Sequence, residues 1–170
     1  NSDGVYSGYM NASTWLNFWA KENDGSIWGN SATDGTFAID NTASAWKCWF
    51  PGVSGIYYAF VDTKAKEWKA TLLKSIQLNG EAMSYDTSNY AWTKVITTTA
   101  DNTPISIVAT GAEYSKTTGT EDAAAVEKTL NYALADGKMT EATTAGSVNI
   151  PSAGTYTVTV KVGEHSQLEY

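Results

Sequence analysis

Residues 46–80, WKCWFPGVSGIYYAFVDTKAKEWKATLLKSIQLNG, constrain the fold more than any other stretch. They read as three strands in succession. Successive side chains of a strand point to opposite faces. Trp46, Cys48 and Phe50 therefore share one side of the first strand, and Lys47 and Trp49 the other. Pro51-Gly52 ends it, since Pro cannot donate to a ladder and Gly tolerates a sharp turn. Residues 56–62 form the second strand, rich in aromatic and branched side chains. Residues 63–67 are a charged turn. The third strand, 68–78, sets Trp68, Leu72, Ile76 and Leu78 at even spacing, which predicts one buried face. Asn79-Gly80 closes the run.

Part of this pattern recurs. Residues 54–62, SGIYYAFVD, align with 153–161, AGTYTVTVK, and both copies follow a Pro. In the second copy Tyr156, Val158, Val160 and Val162 must point inward, because Thr155, Thr157, Thr159 and Lys161 are polar. Carried to the first copy, Tyr57, Ala59 and Val61 point inward. Ile56, Tyr58 and Phe60 then form an apolar outer face, to be covered by another layer, the other module or a ligand.

The rest of the chain continues as short strands between turn signals. Residues 4–10 form a first strand. In 15–21, Leu16, Phe18 and Ala20 share one face and Trp15, Asn17 and Trp19 the other. Asp24-Gly25 is a hairpin turn returning through Trp28. Short strands follow at 37–39, 83–86, 90–95 and 105–110, with 111–119 as loop. Thr120, Glu121 and Asp122 suit a helix start, and Val126, Leu130, Ala133 and Leu134 fit a helical face; Leu130, Tyr132 and Leu134 also alternate, so the reading taken is one helical turn and then a strand that turns at Asp136-Gly137, with a continued helix as the alternative. Residues 139–144 return, and 156–162 end in a final hairpin. The count of strands argues for an all-β chain with at most one short helix. Six of the seven Trp lie in residues 1–68, and threonine and alanine dominate after Gly80. The expectation is two tandem immunoglobulin-like β-sandwich modules, 1–79 and 80–170.

Net charge is −7, and all eleven cationic side chains are Lys. Without a basic patch or Arg forks the chain is no nucleic-acid binder, and an anionic membrane surface is disfavoured too. Cys48, the single cysteine, alternates with core-type residues and reads as a buried apolar group. It allows no disulfide within the chain. The sequence begins at Asn1 without Met, which suggests processing.

The order of Met83-x-Tyr85-Asp86, the Trp strand 90–95, GSVNIP at 146–151 and GTYTV at 154–158 resembles the β-sandwich modules of SusE/SusF-like outer-membrane lipoproteins of Bacteroidetes. The similarity covers mainly residues 80–162. It implies a non-catalytic glycan binder on the cell surface, beside a glycan-uptake complex and lipid-anchored through a removed N-terminal segment. It assigns no glycan site to the first half, which must be argued from its own residues.

A sugar surface needs flat aromatic faces for the C–H side of a pyranose and short polar groups for its hydroxyls. Alternation turns Trp19, Trp49, Tyr58 and Phe60 away from their strands' core faces. Trp28 ends a hairpin next to Gly29-Asn30, and Lys47 and Asp62 lie near the same face. The expected carbohydrate-binding residues are thus Trp19, Trp28, Trp49, Tyr58, Asn30, Lys47 and Asp62, with a polysaccharide or oligosaccharide as partner. The alternative is a structural or adhesive module whose aromatic face is a protein interface.

Catalysis has few candidates. His165, the only histidine, sits in a charged turn without a triad or zinc partner. Glu22, Glu67, Glu81 and Glu113 are the carboxylates a jelly-roll glycosidase would draw on, each in or beside a turn. Asp24 and Asp34 precede glycines, but no calcium loop is complete. The reading is of no enzyme and no cofactor.

Overall fold

The computed structural model describes residues 4–31, 37–42, 47–115 and 125–170. Trp46 and the helix start expected at 120–122 lie outside them. The chain is all-β. Its strands are β1 (Val5–Ala12), β2 (Asn17–Phe18), β3 (Ala20–Lys21), β4 (Ile27–Asn30), β5 (Ile39–Asp40), β6 (Cys48–Trp49), β7 (Gly55–Asp62), β8 (Glu67–Leu78), β9 (Glu81–Ala82), β10 (Ser84–Asp86), β11 (Ala91–Thr98), β12 (Thr103–Ser115), β13 (Val126–Ala135), β14 (Lys138–Ala142), β15 (Ser147–Ile150), β16 (Gly154–Val162) and β17 (Leu168–Glu169). A 3-10 turn at Glu164–Ser166 is the only helical element among the described residues.

Two compact units divide the chain. One comprises Asn1–Leu72 and Ala112–Glu127; the other comprises Leu73–Gly111 and Lys128–Tyr170. The division drawn from composition, at 79/80, falls at the end of β8, whereas the units part at Leu72/Leu73 in its middle.

The first unit is built on antiparallel β1, β7 and the start of β8, with Tyr9 opposite Tyr58 and Tyr57 opposite Leu72. Tyr57, Val61, Trp68, Ala70 and Leu72 pack into one core with Phe37, Ile39, Cys48 and Phe50. Trp68 is its centre. Its ring lies 4.6 Å from Phe37, 5.1 Å from Phe18 and 5.5 Å from Phe50, centroid to centroid. Such tilted and edge-on pairs add about 0.5–1.5 kcal/mol beyond burial. The alternation of residues 16–20 holds, since Leu16, Phe18 and Ala20 all pack against this core. The segment is not one strand, however. It breaks at Trp19, with β2 pairing β6 and β3 pairing β4.

One expectation is corrected along β8. Alternation predicts a single buried face, yet Ala70, Thr71, Leu72 and Leu73 are all buried. Ile56 of β7, on the outer face expected to be covered by another layer, the other module or a ligand, is fully buried. The middle of this strand pair is thus covered on both sides.

In the second unit β11 pairs both β10 and β16, β17 joins β16 to β14, and β14 pairs β13. β12 pairs β15. Ile107, Tyr132, Val160 and Leu168 are fully buried. Asn79-Gly80 (φ 51° and 80°) and Asp136-Gly137 (φ 50° and 75°) are turns with both central residues at positive φ, as two-residue hairpins demand. Residues 111–115, expected as loop, continue β12, because Gly111 does not interrupt the ladder.

Candidate functional site

The two-stranded sheet of β2 and β6 carries an exposed aromatic strip. Phe18 opposes Cys48 and Asn17 opposes Trp49. Cys48 is buried and Phe18 packs on the core, so Asn17 and Trp49 turn outward. One step further along the same register Trp19 meets Lys47, whose Nζ stands 4.8 Å from the indole centroid. Trp19 is 50% exposed. Trp49 is half-buried, and its Nε1 has no hydrogen-bond partner among the described residues.

Trp15 extends this exposed aromatic surface. It is 48% exposed and lies against the loop after β6. A Cβ at Gly52 would come within 2.7 Å of Trp15 Cζ2, so only glycine admits the ring there. That loop is held by Tyr57, whose hydroxyl donates to the Val53 carbonyl at 2.7 Å. Trp15 was not among the expected site residues. Its backbone turns at positive φ (58°), outside the alternating strand, so the one signal for it was the glycine that follows Pro51.

Four expected residues lie outside the strip. Trp28 is buried, and its Nε1 donates to Glu22 Oε2 at 2.9 Å. It pairs with Ala20, a core-facing residue, so cross-strand geometry carries it to the same side. Asn30 is 3% exposed and equally inaccessible. Tyr58, half-buried, faces Tyr9 at 4.9 Å between ring centroids. It belongs to β7 rather than to the strip. Asp62 caps the turn after β7, accepting the N–H groups of Lys64 and Ala65, both at 2.9 Å.

The carboxylates considered for catalysis have local work. Glu22 accepts from Trp28 Nε1, from Thr63 Oγ1 at 3.0 Å and from Tyr6 Oη at 3.4 Å. It thereby ties the first hairpin to β1 and to the turn after β7. Burial and this carboxylate together push the Tyr6 phenol above its usual pKa. Glu67 and Glu81 lie 3.7 and 2.9 Å from Lys69 and Lys94. Glu113 is part of β12. Asp24 is held below the usual carboxylate range by the Ser26 N–H it accepts at 2.8 Å. Asp34 lies outside the described residues. Among those residues no three His, Cys, Asp or Glu side chains gather as a metal site. The Cys48 thiol is pushed up to about 12 by burial, which makes it a poor nucleophile at neutral pH. His165 sits in the exposed turn after β16.

In the second unit a cleft of about 720 Å³ opens among Asp136, Lys138, Tyr156, Lys161, Glu169 and Tyr170. Its charges are of both signs.

Residues 1–73 match a family described as a domain of unknown function, DUF5111. The DUF5111 match contains Trp15, Asn17, Trp19, Lys47 and Trp49, and it ends within β8. The SusE/SusF-like motifs, at 80–162, lie outside it. No curated protein and no solved structure matches the chain.

Proposed function

We propose that this chain is a non-catalytic carbohydrate-binding protein of the bacterial cell surface, presenting the strip of Trp49, Trp19 and Trp15 to a polysaccharide. The observation that carries the reading is the outward pair Asn17–Trp49 with half-exposed Trp19 beside it. An indole face stacks on the C–H side of a pyranose, and the Asn17 amide beside it suits vicinal hydroxyls. A lipid anchor and a place beside a glycan-uptake complex rest on the resemblance of residues 80–162 to SusE/SusF modules. Each stacked ring contributes on the order of 1 kcal/mol beyond area burial. Single sites are therefore weak, and retention on a polymer comes from many contacts.

Affinity electrophoresis through gels cast with soluble polysaccharides, neutral and acidic, tests the reading. Retardation by at least one polymer is expected, reduced in Trp49→Ala and Trp19→Ala with melting temperatures within a few degrees of wild type. No retardation by any polymer overturns it. Val53 is 49% exposed beside Gly52 and widens the apolar surface, which favours a second reading, a protein interface. Stable self-association lost in Trp19→Ala, without glycan retention, would support that instead.

A further inference from the structure

The charge pattern around the strip narrows the glycan class, given the carbohydrate reading above. The strip is built from two stretches, residues 15–19 and 47–53. Their only charged residue is Lys47, although the chain holds 18 Asp and Glu and a net charge of −7. The nearest acidic residues in sequence are Asp3 and Glu22 about the first stretch and Asp40 and Asp62 about the second. The Lys47 ammonium meets the Trp19 ring face at 4.8 Å and forms no ion pair among the described residues. A ring quadrupole attracts a cation without neutralising it, so Lys47 presents a full positive charge at the end of an otherwise uncharged apolar strip. The rest of the negative charge is damped beyond about 8 Å at physiological ionic strength.

We propose that the strip takes a uronate-containing polysaccharide. A pyranose stacked on the Trp49 indole keeps its ring substituents at the rim. A C5 carboxylate there points along the strip toward the ammonium that Trp19 holds in place, while Asn17, opposite Trp49, meets a hydroxyl. Lys47 is a specificity residue in this arrangement: it selects a charged sugar and leaves the stacking of a neutral one unchanged.

The test uses the whole chain in affinity gels cast with polygalacturonate, alginate, dextran sulfate, xylan or amylose-type glucan, at low and high NaCl. A uronate polymer is expected to retard the chain most, with retention falling as salt rises. Lys47→Met, which keeps the stem, should weaken uronate binding about 1.5- to five-fold, the span of one exposed ion pair, and Lys47→Arg should restore it. Lys47→Gln serves if Lys47→Met does not fold. Equal retention by neutral glycans, unchanged in Lys47→Met, overturns the uronate assignment and leaves the carbohydrate reading standing. Equal retention by dextran sulfate overturns the carboxylate as the recognised group. No retention by any polymer overturns both.

Discussion

Gly55-Ile-Tyr57 in β7 and Gly154-Thr-Tyr156 in β16 build the same local device in different surroundings. Each tyrosine lies two residues after its glycine, and each hydroxyl donates to the carbonyl four residues back, Val53 and Ser152, at 2.7 Å in both. This is the logic of the tyrosine corner, in which a phenol fixes the loop that enters its own strand. Beyond that point the strands diverge. β16 alternates, with Val158 and Val160 buried and Thr155, Thr157 and Lys161 exposed. In β7 the residue before the tyrosine, Ile56, is as buried as Tyr57 itself. A shared turn motif therefore sets how a strand starts and says nothing of how many of its faces are covered.

Truncating the two tyrosines should separate them most. Tyr57→Ala removes a fully buried ring packed 5.0 Å from Phe50 and should cost about 3–5 kcal/mol. Tyr156→Ala removes a part-exposed ring and should cost about 1 kcal/mol. Denaturant titration gives both values, and equal losses would mean the two corners sit in equivalent surroundings.

Exchanging the residues between the glycine and the tyrosine comes next. Ile56→Thr buries an unpaired hydroxyl where a full side chain was enclosed, and should cost about 1–3 kcal/mol. Thr155→Ile gives up only the exposed 3.1 Å contact with Thr97 Oγ1 and should stay within about 0.5 kcal/mol. A costly Thr155→Ile would show that β16, too, is covered on its outer side.

The smallest expected effect concerns Cys48, beneath the strip. Its thiol titrates ordinarily at 9.0 and near 12 in the fold, because burial disfavours the thiolate. A raised folded pKa gives stability that is complete below about pH 9 and is lost as pH climbs toward 12. Stability should fall less steeply over that range in Cys48→Ala than in wild type, and thiol labelling at neutral pH should await unfolding. Rapid labelling of the native chain would place Cys48 at the surface and reverse the facing of Trp49.

Much of the local structure was legible because period and turn chemistry act over a few residues. Leu16, Phe18 and Ala20 announced their face, as did Cys48 and Phe50. Asn79-Gly80 and Asp136-Gly137 announced their turns, since few other pairs accept two positive φ angles. What stayed hidden depended on partners remote in sequence. Leu73 looks like the open face of β8 until the layer over it is known. Trp28 read as a displayed aromatic because its hydrogen-bond acceptor, Glu22, looked like an ordinary turn carboxylate. The strip was half legible: alternation set Trp19 and Trp49 outward, but Trp15 depended on a glycine 37 positions away.

The place where β8 divides bears on how this chain can be handled. The DUF5111 match stops at residue 73, within β8, while the unit around that region also draws on Ala112–Glu127. Tyr114 from this later segment packs on the aromatic core, and β12, which carries it, is the neighbour of β8. A gene fragment trimmed to the matched boundary would lose that side chain and leave the cut strand with unpaired N–H and C=O groups, an invitation to stick to another copy. The aromatic strip therefore cannot be transplanted with one contiguous cut. A graft into another protein would have to carry both segments, or supply a foreign strand in place of β12.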